Sequence, residues 1–322
     1  MNGTSFPTSR GTRLRHVVFR SRVRRRVVNF ATLPPGSHSS DAPALPDAMI
    51  ATVAGAAPDD GKELTRAERA FVGWIFQAVG LDVGDYRVET LRRRLPACLR
   101  AVRAATLAEA RQRLAAEPGL LGAAASALVI GVTGFFRDRS VFDDLARVVL
   151  PALQRDARHP RVWSAACSSG EEVYSIAMLL AEAGLLDGAA LLGTDCRSAA
   201  LARARDARYD ARTVADVPQL WLDRYFAPDL EGDGKGWRVG FALRAAAHWR
   251  TGDLTRTVEP GGWDLILCRN VAMYLRPEVS GRLWAALESA LAPGGFLVLG
   301  KAERPVGAAR LSMIGPCTYR RE

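Results

Sequence analysis
Apolar positions follow two rhythms along the chain. From Thr65 to about residue 130 they recur every three or four residues, the period of helices that bury one face. Thr65-x-x-Glu68 has the spacing of a capping box. Phe71, Trp74, Ile75 and Val79 follow at helical spacing, and Gly80 is the stop. Leu91, Leu95 and Leu99 mark a second helix starting near Arg87, which also carries Arg92, Arg93, Arg94 and Arg100. Thr106-x-x-Glu109 opens a third helix, and residues 121–130 form a fourth. From Arg161 short apolar runs take over. Residues 161–167, 191–195, 263–268 and 296–300 read as buried strands, with helices over 174–183, 199–208 and 277–291. Strands alternating with helices predict an α/β fold, a mostly parallel sheet covered on both faces. Residues 208–251 break that alternation. Gly232 to Gly236 reads as a hairpin loop and Trp237 to Phe241 as a short strand, so an inserted subdomain is expected there. The predicted organisation is a disordered basic tail (1–60), a small helical domain (61–135) and the sheet domain (136–322).

Composition narrows the picture. With 322 residues, 48% hydrophobic and 24% charged, the chain can build about two domains and a substantial core. A collagen-like or wholly disordered chain is excluded. Without an uncharged run of 18 apolar residues, no membrane insertion is expected. The net charge of +10 is uneven. Residues 1–48 hold eight Arg and two Asp and account for +6 of it. Net charge is therefore weak support for a nucleic-acid partner. The tail reads as a solvated extension, or alternatively as a basic arm for nucleic acid or acidic lipid. Met49 offers another start, and no secretory signal pattern follows the arginines. Five cysteines without a CxxC pair give no support to a disulfide framework or zinc ribbon, and reduced thiols fit a cytoplasmic protein. Four scattered histidines without HExxH predict no metal site.

The chemistry sits at the strand ends, where open α/β sheets bind ligands. Cys167-Ser-Ser-Gly170-Glu171-Glu172 is a small-residue turn in which Gly170 would let a ligand approach the backbone. Its acidic pair suits a ligand with a positive group; alternatively both glutamates simply favour the helix N-terminus. The dinucleotide pattern GxGxxG is absent. Asp195, 25 residues after Gly170, is placed to accept from ribose hydroxyls. Asp253 could accept from an adenine amino group, and Asn270 could hydrogen-bond the ligand. Four polar groups at four strand ends describe a nucleoside pocket with a cationic tail, which fits S-adenosylmethionine.

At this point the chain resembles the CheR-type chemotaxis receptor methyltransferases, protein-glutamate O-methyltransferases that use S-adenosylmethionine. The resemblance rests on Thr133-Gly-Phe-Phe-Arg137-Asp138, Trp163 to Ala177, Gly193-Thr-Asp195, Tyr225-Phe226, Gly252-Asp-Leu254 and Cys268-Arg-Asn-Val-Ala-Met-Tyr274. It covers about residues 61–305 and implies a Rossmann-like class I methyltransferase domain with a helical N-terminal domain and an insertion. It also implies that Thr133, Arg137, Glu171 and Asp195 bind the cofactor, with Asp253, Leu254, Arg269 and Asn270 at adenine-side positions. Arg137 and Tyr274 match residues near the transferred methyl, and S-adenosylhomocysteine is the implied product. The implied partners are methyl-accepting chemotaxis receptors or related sensory proteins, met by a monomer.

Three features depart from the family pattern. Gly131 stands where Asn is usual, Gly300-Lys-Ala-Glu303-Arg304 stands where Gly-His-Ser-Glu-Asn is usual, and the inserted subdomain is short of clear strands; Asp253 in place of the usual Asn is a milder change. Two other functional classes compete with the active enzyme. One is a non-catalytic scaffold that binds the cofactor or its product. The other is a nucleic-acid methyltransferase, which should carry an Asn/Asp-Pro-Pro-Tyr type motif where Cys268-Arg-Asn-Val stands.

Overall fold
A computed structural model describes residues 63–129, 131, 133–155, 159–230 and 236–322, all of which belong to one compact unit. The basic tail (1–60) and the loop residues 232–235 lie outside the described residues.

Four helices come first: α1 (Arg66–Ala78), α2 (Val88–Ala101), α3 (Leu107–Ala116) and α4 (Leu121–Leu128). The capping box predicted for α1 forms. Thr65 Oγ1 accepts from the Glu68 amide at 3.2 Å, and Glu68 Oε2 accepts from the Thr65 amide at 2.8 Å. The face that α1 buries is Phe71, Val72, Ile75 and Phe76, with Trp74 only half-buried. A helical run leads on through α5 (Arg139–Asp144), a π-turn (Leu145–Val149) and α6 (Leu150–Arg155).

The main sheet follows. It contains β1 (Arg161–Ala165), β2 (Ala190–Asp195), β6 (Ala247–Thr251), β7 (Trp263–Cys268), β8 (Leu291–Leu299), β9 (Leu311–Gly315) and β10 (Thr318–Arg321). Its order is β6-β2-β1-β7-β8-β10-β9, and the first five strands are parallel. Helices α7 (Glu171–Glu182), α8 (Ser198–Asp206) and α11 (Pro277–Ala290) connect them. Strand order reverses at β1, which puts the ligand crevice beyond its carboxyl end.

Alternation along the strands divides the core. Trp163, Ile266, Cys268, Leu297 and Leu299 face α1–α4 and α11. Val162, Leu265, Leu267, Phe296 and Val298 face α5–α7. Trp163 is fully buried and still satisfied, because its indole N–H donates to Thr194 Oγ1 at 2.9 Å.

Between α8 and β6 lie β3 (Arg208–Asp210), α9 (Gln219–Tyr225), β4 (Phe226–Asp229), β5 (Gly236–Val239) and α10 (Phe241–Ala246), with a small antiparallel sheet ordered β3-β5-β4. Residues 247–251, assigned above to the interruption, instead form β6 and pair in parallel with β2. This edge strand shows only Ala247 fully buried, so its pattern looks irregular in sequence. The antiparallel β9 and β10 were not foreseen either, because β9 buries no residue completely.

Candidate active site
The cleft opens at the carboxyl ends of β1, β2, β6 and β7, and measures about 980 Å3 counted to its open mouth. Eight of the nine residues singled out from sequence line it: Thr133, Arg137, Asp195, Asp253, Leu254, Arg269, Asn270 and Tyr274. Glu171 does not.

The floor is the turn after β1. Ala166, Ser168 and Gly170 all have positive φ, +62°, +54° and +94°. The glycine answers a demand different from the expected one. A Cβ on Gly170 would lie 2.8 Å from both Ala204 Cβ and Trp249, so neighbouring side chains, not a ligand, press on its backbone. The insertion fixes this turn from outside, since the buried Tyr209 hydroxyl donates to the Ser169 carbonyl at 2.7 Å.

The two glutamates after the turn separate. Glu172 lines the cleft, where it accepts from Ser164 Oγ at 2.7 Å and Arg269 Nη1 at 3.0 Å. Glu171 is buried, and its Oε1 accepts from Ser169 Oγ at 2.9 Å. Burial pushes the Glu171 carboxyl up, while the nearby donors of its own backbone, Ser169 and Thr133 pull the other way. Its Oε2 is buried and has no hydrogen-bond partner among the described residues. An orphaned carboxylate oxygen beside Thr133 fits a ligand that carries an ammonium group.

The block 133–137 is anchored by its two phenylalanines. Phe135 is fully buried edge-on against Tyr209 (5.0 Å) and Phe226 (5.4 Å), and Phe136 meets Phe142 (5.3 Å) and Trp221 (5.5 Å). The Phe136 amide donates to Ser175 Oγ at 3.0 Å. This anchoring leaves Thr133 and Arg137 on the cleft. Arg269 braces the same block. Its guanidinium, 2% exposed, donates to Glu172, the Arg137 carbonyl (2.7 Å) and Asp138 (2.9 Å). The structure thus gives Arg269 a bracing task around Arg137. Lys301, one of the departures, stands 3.8 Å from Asp138.

On the far wall Asp195 accepts from the Ser168 amide (2.8 Å), the Arg197 amide (2.9 Å), Arg197 Nε (2.9 Å) and Arg197 Nη2 (3.2 Å). Asp253 accepts from the Thr255 amide and hydroxyl, both at 2.9 Å, and its pKa is raised, chiefly by burial. Tyr86 closes the cleft from the α2 side. Burial pushes its phenol well above the usual range, helped by Cys196, Asp253, Asp85 and Asp195.

Sequence reasoning missed Glu303 as an organiser. Its buried carboxylate accepts from the amides of Gly300 (2.9 Å), Asn270 (2.8 Å), Val271 (2.9 Å), Ala272 (2.8 Å) and, more weakly, Met273 (3.4 Å). This one group holds the Asn270 backbone, at φ +59°, and the turn that leads to Tyr274. Arg197 and Tyr86 were also missed, and Glu172 was read only as one of an acidic pair suited to a positive ligand. Glu303 left a faint sequence signal, the Glu retained inside a divergent block.

Comparison with known proteins identifies the family. Residues 131–315 match the family model described as CheR methyltransferase, SAM binding domain. A "Chemotaxis protein methyltransferase" of Listeria monocytogenes is 33% identical over 232 residues, 72% of this chain and 87% of that one. "Chemotaxis protein methyltransferase Cher2" of Pseudomonas putida is 33% identical over 239 residues, 70% and 86% of the two chains. Among solved structures, a TehB-like SAM-dependent methyltransferase from Corynebacterium glutamicum aligns at TM-score 0.32 and 16% identity, over 57% of this chain and 94% of that one. The match over 131–315 and the relatives' identity over most of the chain lead to one conclusion: the chain belongs to the CheR methyltransferase family, and residues 131–315 correspond to its S-adenosylmethionine-binding domain.

Proposed function
We propose that the chain methylates glutamate side chains of methyl-accepting chemotaxis receptors or related sensory proteins, giving glutamyl methyl esters and S-adenosylhomocysteine. The observation that carries this reading is the convergence of Thr133, Arg137, Asp195, Asp253, Asn270 and Tyr274 on one cleft at the sheet's switch point. The donor set fits the cofactor. Asp195 would take the ribose hydroxyls, Asp253 the adenine amino group, and Glu171 with Thr133 the amino-acid end. When bound, S-adenosylmethionine supplies an electrophilic methyl on a sulfonium.

The chain's own tasks are few. A target glutamate is ionised at neutral pH, its unperturbed pKa being about 4.3, so no residue has to remove a proton. Positioning is the main contribution. Arg137 would orient the incoming carboxylate. Tyr274 would donate to the oxygen that does not attack. Arg269, braced by Glu172 and Asp138, keeps the Arg137 backbone in place. The ester loses a negative charge, which changes charge-dependent packing in the target.

The test is methyl-labelled S-adenosylmethionine mixed with cytoplasmic fragments of receptors from the same host. Label released as methanol by alkali, and lost in Arg137→Ala, is the expected result. Label that resists alkali would overturn the glutamyl-ester reading. Tight S-adenosylhomocysteine binding without any label would favour the second reading, a non-catalytic scaffold, which the coverage of Asp195 by Arg197 makes worth separating.

A further inference from the structure
An Asp carboxylate has about four acceptor positions. On Asp195 all four are taken: Oδ1 by the Arg197 amide and Nε, Oδ2 by the Ser168 amide and Arg197 Nη2. Two of the four belong to the Arg197 side chain. A ribose diol needs acceptor positions on the same carboxylate, so the nucleoside and the Arg197 guanidinium exclude each other there. Both partners are withdrawn from solvent, with side chains 9% and 4% exposed. Their bond is therefore poorly screened, and opening it has a real cost.

A second observation says why the guanidinium can lie there. Residue 131 is glycine. A Cβ at that position would sit 1.7 Å from Arg197 Nη1 and 2.4 Å from Cζ. The guanidinium thus fills the space that any side chain at 131 would need. Ser168 ties the two sites together, because its hydroxyl donates to the Gly131 carbonyl at 3.1 Å while its amide donates to Asp195.

We propose that Arg197 is an affinity-setting residue of the cofactor site: its side chain competes with the ribose for Asp195, and Gly131 is what gives it room to do so. This rests on the reading of Asp195 as the ribose acceptor. Removing the side chain leaves Asp195 with two backbone donors, from Ser168 and residue 197, so the carboxylate stays held and its other two positions become available. Placing a methyl at 131 evicts the guanidinium without touching Arg197 itself.

The experiment is calorimetric titration of the full chain with S-adenosylhomocysteine, which reads binding without turnover. Arg197→Ala is expected to tighten binding about tenfold, the scale of a charge-assisted hydrogen bond. Gly131→Ala should tighten it in the same direction, and the double variant should be no tighter than Arg197→Ala alone, since both act through one contact. Unchanged or weaker binding in Arg197→Ala, or full additivity of the two changes, would overturn the proposal. Asp195→Ala separates the two levels. If it leaves binding unchanged, the reading of the site fails. If it weakens binding while Arg197→Ala does not strengthen it, only the competition fails.

Discussion

At the end of β7 one buried carboxylate, Glu303, accepts from a row of backbone N–H groups. At the end of β2 another, Asp195, accepts half of its hydrogen bonds from a long side chain. Backbone donors can leave only if the loop unfolds, whereas an arginine can rotate away. The wall that carries Asn270 and Tyr274 is therefore a fixed template, and the wall that carries Asp195 is an exchangeable one. A site that must orient one group and admit another gains from having both.

The largest way to break this contrast is Glu303→Ala. It would leave a set of buried amides without an acceptor and is expected to cost at least about 3 kcal/mol of stability, read as a lower urea midpoint. Glu303→Gln keeps one acceptor oxygen and should lose less. A shift below about 1 kcal/mol in the alanine variant would mean that the loop is held by something else. Gly170→Ala tests the floor shared by both walls. With φ at +94° and side chains 2.8 Å from the new methyl, about 2 kcal/mol should be lost in thermal melts. A neutral result would show that Trp249 moves aside freely.

Asp195→Ala acts on the exchangeable wall alone. It should weaken S-adenosylhomocysteine binding by at least about 1 kcal/mol, roughly fivefold, and it should also lower the urea midpoint, because it leaves the Arg197 guanidinium and the Ser168 amide without their acceptor. A different kind of signal sharpens the contrast by chemistry, without any substitution. Burial, reinforced by Asp195, pushes the Cys196 thiol up to about 12. A raised pKa keeps the thiol protonated, so alkylation by iodoacetamide should be about a thousandfold slower than for an ordinary thiol at pH 8. The rate should climb about tenfold per pH unit as the thiolate appears. Fast modification at neutral pH, mapped by mass spectrometry, would contradict that environment.

Strand ends explain what the sequence made legible. Asp195 and Asn270 stand out because each follows an apolar run, and an acid or amide there has few purely structural uses, whereas Asp253 was marked only as an acid ahead of the next strand. Glu303 was illegible as an organiser because its partners are amides, which look alike in every sequence, and most lie about 30 residues away. Arg197 was illegible because its place depends on a side chain that residue 131 lacks. The expectation for Gly170 named the right residue and the wrong neighbour, since nothing local announces that Trp249 and Ala204 converge on it. Strand β6 was absorbed into the insertion because an edge strand loses the continuous apolar run that marks its inner neighbours.

The backbone between α1 and α2 is also stitched to the loop that carries Tyr274. Tyr86 bridges Leu275, the Arg87 amide donates to the Tyr274 carbonyl, and the Arg276 amide donates to the Asp85 carbonyl, both at 2.9 Å. For anyone grafting modules between relatives, the natural seam is consequently not a single cut near residue 131. Helices α1–α4 and residues 270–276 form one transplantable part, and a chimera that exchanges the helices alone would pair Asp85, Tyr86 and Arg87 with a foreign loop.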